Sequence, residues 1–118
     1  MEFKETGFLL RTENYEECVE FYSRILELPV RLQKDGLTNF QFGNAYLLIE
    51  RAWEPSPKEI REREAPTFML RMNVEDVAGA VSKVRAKGVT VELLDFDWGE
   101  VGKFRDPGGN MFEFCRWK

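Results

Sequence analysis

Apolar and polar residues alternate with a period of two across residues 4–12. Phe8 and Leu10 fall on one face and Gly7, Leu9 and Arg11 on the other, which predicts a half-buried strand. From about Asn14 the period lengthens: Cys18, Phe21, Tyr22, Ile25 and Leu26 recur at three- and four-residue spacing, the stripe of an amphipathic helix. Asn14 is placed to cap it, Glu16 and Glu17 complement its positive first turn, and Pro29 ends it. Strands are predicted at 30–34, 37–42 and 45–51. Asp35-Gly36 and Gly43-Asn44 supply tight turns between them, because these residues tolerate positive φ. The order so far is β-α-β-β-β.

Residues 52–65 break the pattern with two prolines and alternating charge, and predict an exposed linker. The order then restarts. A strand is expected at 67–73 and a helix at 74–86, with Val74, Val77, Val81 and Val84 on one stripe and Gly88 at its left-handed end. Strands at 89–96, 101–105 and 111–117 follow, the last two joined by the turn Asp106-Pro107-Gly108-Gly109-Asn110. Phe68-Met69-Leu70-Arg71 echoes Phe8-Leu9-Leu10-Arg11, so the chain reads as a duplication. The expected fold class is α+β, a single domain over 1–118 made of two tandem βαβββ modules. These occupy 1–51 and 66–118, joined by the linker 52–65.

Composition narrows the chemistry. With 118 residues, 43% of them hydrophobic and 32% charged, the chain suits one globular domain. No apolar run approaches the ~20 residues of a membrane span, and residues 1–5 show no signal-peptide core. A net charge of −4 without a basic stripe argues against nucleic acid and favours a neutral or cationic partner. Cys18 and Cys115 lack metal or redox spacing, which suits buried apolar roles in a reducing cytoplasm. Most informative is the absence of histidine. His-held metals, Ser-His and Cys-His pairs and imidazole acid–base catalysis are all excluded.

Three stretches resemble the vicinal-oxygen-chelate superfamily, which includes glyoxalase I, bleomycin-resistance proteins and extradiol dioxygenases. They are Glu20-Phe21-Tyr22-Ser23-Arg24-Ile25-Leu26-Glu27-Leu28-Pro29, Val74-Glu75-Asp76-Val77 with its helix ending Ala86-Lys87-Gly88-Val89, and Trp98-Gly99 followed by residues 104–114. The resemblance implies a curved mixed sheet from the two modules, a ligand cleft and a homodimer. It also implies four inward strand positions that carry metal ligands in some members. Here they fall at Gly7, Glu50, Met69 (or Thr67 by the internal echo) and Glu113. Glycine offers no ligand, and neither Met69 nor Thr67 suits a hard divalent ion, so no metal or other cofactor is expected. The alternative is a loosely held divalent ion at Glu50 and Glu113.

By parity Glu50 and Glu113 face away from Leu47, Ile49, Phe112 and Phe114. Each is a cleft carboxylate for a cationic ligand or the partner of Arg11 or Arg71. Trp98 is either ligand-facing or a packing aromatic at a strand entrance. Trp53 is expected at a dimer contact and Trp117 in packing, while Tyr22 and Tyr46 have no nameable partner. The candidate ligand-binding set is Glu50, Glu113, Arg11, Arg71, Trp98 and Met69. The leading functional expectation is metal-independent binding of a drug-like or cationic molecule, similar to bleomycin-resistance proteins. The alternatives are a lyase or dioxygenase using a divalent ion, and an interaction module without small-molecule function.

Overall fold

The computed structural model describes residues 1–52 and 68–118, so Trp53, Thr67 and most of the expected linker lie outside the described residues. The chain divides into two compact units, Met1–Pro57 and Lys58–Lys118, each built around one four-stranded sheet.

In the first unit β1 (Gly7–Thr12) is followed by α1 (Tyr15–Glu20), a π-helical segment (Phe21–Ile25), β2 (Val30–Lys34), β3 (Leu37–Phe42) and β4 (Ala45–Arg51). The sheet order is β1-β4-β3-β2, with β1 and β4 parallel and the other pairs antiparallel. The second unit repeats this plan with β5 (Leu70–Asn73), α2 (Val77–Ala86), β6 (Glu92–Phe96), β7 (Gly99–Arg105) and β8 (Met111–Trp117). Its order is β5-β8-β7-β6, again with one parallel pair, β5 and β8. The two registers also match. Leu10 pairs with Ile49 and Arg11 with Glu50, as Leu70 pairs with Phe112 and Arg71 with Glu113. This shared register supports the duplication far more strongly than a four-residue echo.

Each core lies between one face of a sheet and its helix. Tyr22, Phe40, Leu47 and Ile49 are fully buried in the first unit, and Tyr15 closes it with a 2.6 Å hydroxyl–hydroxyl bond to buried Thr38. Val77, Val81 and Val84 of α2 are buried, as are Leu70, Phe104, Phe112 and Phe114 of the second sheet. Cys18 and Cys115 are buried free thiols. No helix of the described residues is long and apolar enough to cross a membrane.

Several elements differ from the pattern-based expectation. β1 starts at Gly7, β5 at Leu70 and β6 at Glu92, each later than alternation alone suggests, whereas β7 starts earlier, at Gly99. The first helix does not run regularly to Pro29. Its amide bonds shift to a wider spacing after Glu20, Leu26 N–H donates to Phe21 O, and Glu27 ends the turn at φ 57°. Asn14 makes no side-chain cap, while Asp76 caps α2 by accepting from Gly79 N–H at 2.9 Å. That cap sets the helix start at Val77 and leaves Val74 outside it. Gly36 and Gly88 take positive φ, as their turn and helix-end positions require. The turn after β7 is structural: Asn110 donates through its backbone and side chain to the two oxygens of Asp106, at 2.8 Å each.

Candidate functional site

The parallel pairing of outer and central strands sets an arginine beside a glutamate once in each unit. Arg11 Nε and Nη2 both donate to Glu50 Oε2, at 3.2 and 3.1 Å. Arg71 Nε donates to Glu113 Oε1 at 2.5 Å. The surroundings distinguish the two pairs. In the first, the side chains are 62% and 35% exposed, so water screens the charges. In the second, Glu113 is 4% exposed and Arg71 39%. The buried carboxylate is therefore held by a guanidinium that itself reaches the surface.

That guanidinium is also gathered by aromatics. Its Cζ lies over the Trp98 ring at 5.5 Å and over the Trp117 ring at 5.9 Å, both within cation–π range. Trp98 stacks on Phe96 with centroids 5.3 Å apart and planes 5° from parallel. The ladder explains why distant residues meet: Gly99 pairs with Phe96 on one side and Trp117 on the other, and Lys118 N–H donates to Trp98 O at 3.0 Å. All three aromatics are exposed, unusually for one small surface. A groove of about 290 Å³ is lined by Asn73, Val74, Glu75, Cys115, Arg116 and Trp117.

Four of the six candidate residues thus meet in pairs, and a fifth, Trp98, joins Arg71 and Glu113. Met69 precedes β5, half-buried, and takes no part in this group. Trp117, expected in packing, is instead 62% exposed and faces Arg71; Phe96 was not anticipated. The signal for both was the position of Gly99 between two aromatic strand ends, which acquires meaning only with the register known. Tyr22 is buried against Phe21 and Phe40, whereas Tyr46 lies under Arg31.

Taken one at a time, the positions that the resemblance marks for metal ligands are poorly suited to a divalent ion. Gly7 brings no donor, and a Cβ there would sit 2.2 Å from Tyr46 Cζ, so the ring already fills that space. Glu50 and Glu113 each hold a guanidinium, whose positive charge disfavours a second cation. Among the described residues no group of three or more Cys, Asp or Glu side chains is placed to hold a metal ion.

The sequence profile of the Glyoxalase/Bleomycin resistance protein/Dioxygenase superfamily matches residues 6–114. No curated protein matches in sequence. Among solved structures, a glyoxalase/bleomycin resistance protein/dioxygenase from Nocardioides superposes with a TM-score of 0.80 at 22% identity, over 99% of this chain and 85% of that one. TioX from Micromonospora sp. ML1 gives 0.77 at 17% identity, over 98% of this chain and 100% of its own. Lactoylglutathione lyase from Agrobacterium tumefaciens gives 0.75 at 18% identity, over 97% and 93%. At such identities these likenesses concern the fold. With the profile match spanning nearly all of a chain built from two βαβββ units, the protein belongs to the glyoxalase/bleomycin resistance protein/dioxygenase superfamily.

Proposed function

We propose that this chain is a metal-independent small-molecule binding protein that sequesters a drug-like ligand on the aromatic face of its second unit, in the manner of bleomycin-resistance proteins. The observation that carries the reading is the exposed group Phe96, Trp98 and Trp117 around Arg71, beside the groove at Trp117. Exposed stacked aromatics give a planar molecule large contact area at little conformational cost, and the Glu113 carboxylate beside them supplies a polar anchor. Sequestration needs no reactive group. A homodimer in a reducing cytoplasm belongs to the same reading, and sedimentation of the purified chain tests the dimer.

Titration with bleomycin-type and other planar drugs is expected to change the tryptophan fluorescence saturably, in the micromolar range. Trp98→Ala is expected to weaken binding by about tenfold, the order of one lost stacking contact. Absence of any saturable change across the panel would overturn the reading. Calorimetric titration with Mn²⁺, Ni²⁺ and Zn²⁺ is expected to show no stoichiometric binding. A stoichiometric site abolished by Glu113→Gln would instead favour a metal-dependent lyase or dioxygenase.

A further inference from the structure

Arg71 contacts the exposed indoles and the buried carboxylate at once. Its guanidinium covers faces of Trp98 and Trp117 and supplies the positive charge held against Glu113, whose side chain is 4% exposed. Yet Arg71 is itself 39% exposed, and its hydrogen bond to the carboxylate runs through Nε. The side chain is therefore anchored along one edge and open to solvent elsewhere.

We propose that Arg71 is a resident surrogate for the ligand, and that the site selects a planar cation carrying an amidinium or guanidinium group, which displaces Arg71 from Trp98, Trp117 and Glu113. This inference rests on the binding reading above and names the ligand class for the same face. Its physical basis is the buried carboxylate. A neutral or anionic ligand that pushed Arg71 aside would take away the guanidinium that neutralises Glu113, leaving a 4% exposed carboxylate dependent on Lys103, a cation that Glu92 also flanks. A cation that arrives as Arg71 leaves keeps the carboxylate neutralised throughout. A compact ammonium supplies the charge but not the flat shape. Only a planar, delocalised cation both stacks on indole and presents N–H groups in the carboxylate plane.

Lys103 is the other cation beside Glu113 in the ladder. It pairs in register with Glu113 on one side and Glu92 on the other, on the strand next to Arg71's partner. Lys103 thus stands between two carboxylates in the ladder, and its flexible ammonium cannot reproduce the flat contact with the indoles.

The test uses the full chain and three matched probes, benzamidinium, benzamide and benzoate, followed by tryptophan fluorescence. Benzamidinium is expected to bind at least about tenfold more tightly than either of the others. Arg71→Ala, which removes the internal competitor, is expected to tighten benzamidinium further and leave benzamide weak. Should that variant fail to fold, the order of the three probes on the unaltered chain decides the matter. Benzoate binding best, or Arg71→Ala abolishing binding, would make Arg71 an anion anchor and overturn the inference while leaving the binding function intact. Equal affinity for all three probes would overturn it as well. Failure of these probes together with the whole panel of planar drugs would overturn the binding reading itself.

Discussion

Replacing Arg71 by methionine is expected to destabilise the chain by about 2–3 kcal/mol, whereas Arg11→Met costs less than about 1 kcal/mol. Both arginines occupy the same place in the repeated register, one strand from a glutamate. Their difference is burial. Removing Arg71 leaves a 4% exposed carboxylate without its partner and uncovers two indole faces. Breaking a fully buried pair costs about 3–5 kcal/mol, and the 39% exposure of Arg71 lowers that figure because water reaches part of the site. Arg11 and Glu50 are both well solvated, so the freed Glu50 simply hydrates. Urea unfolding of the two variants measures the contrast. A second comparison isolates the stranded charge: Arg71→Met combined with Glu113→Gln is expected to recover part of the loss, since no buried charge then remains. Equal destabilisation by Arg71→Met and Arg11→Met would show that burial of Glu113 does not control the pair.

Gly102→Leu is expected to cost about 3 kcal/mol, at the upper end for overpacking a core. Gly102 lies on β7 beneath α2, where an added Cβ would meet Val81 Cγ2 at 2.5 Å and Val91 Cγ1 at 3.5 Å. Val81 is itself buried and β-branched, so it has few rotamers in a helix with which to move away. The side chain has to lift α2 from the sheet or distort β7, and β7 runs on to Gly99 at the base of the aromatic face. Gly102→Ala is expected to be milder but still destabilising, because even the first carbon is too close. Thermal melts of the two variants measure the effect, with roughly 4 °C lost per kcal/mol in a chain of this size. A melting temperature unchanged in Gly102→Leu would mean that α2 slides freely over the sheet.

Much of the architecture is legible in the residues because local periodicity and turn chemistry agree. Strands 30–34, 37–42, 45–51 and 111–117 fall where alternation and the turns at Asp35-Gly36, Gly43-Asn44 and Asp106–Asn110 place them. The two helices are visible from their apolar spacing, and α2 ends at Ala86 before a left-handed Gly88 as expected, but its start and the course of the first helix beyond Glu20 are not. Asp76 could be read as a cap only by weighing it against the valine stripe that begins two residues earlier, and the π-helical turn at Phe21–Ile25 leaves the apolar spacing almost unaltered. At β1, β5 and β6 the alternation begins before the first residue that finds a ladder partner, so the pattern alone places these strand starts too early.

What the sequence determined by itself was the duplicated βαβββ order, the exclusion of histidine chemistry and the resemblance to the superfamily. Each depends on residue identity and short-range spacing alone. The candidate site was only partly legible. Arg11 and Arg71 could be named beside Glu50 and Glu113 by parity, but parity gives a face and not a depth. Two pairs with the same register differ in function-bearing character because one carboxylate is buried and the other is not. The tertiary structure alone decided that Tyr46 fills the space at Gly7 and that Arg71, on another strand, lies over Trp98 and Trp117 where β7 and β8 meet at Gly99. Burial and cross-strand proximity are set by the packing of residues dozens of positions apart, which no local pattern encodes.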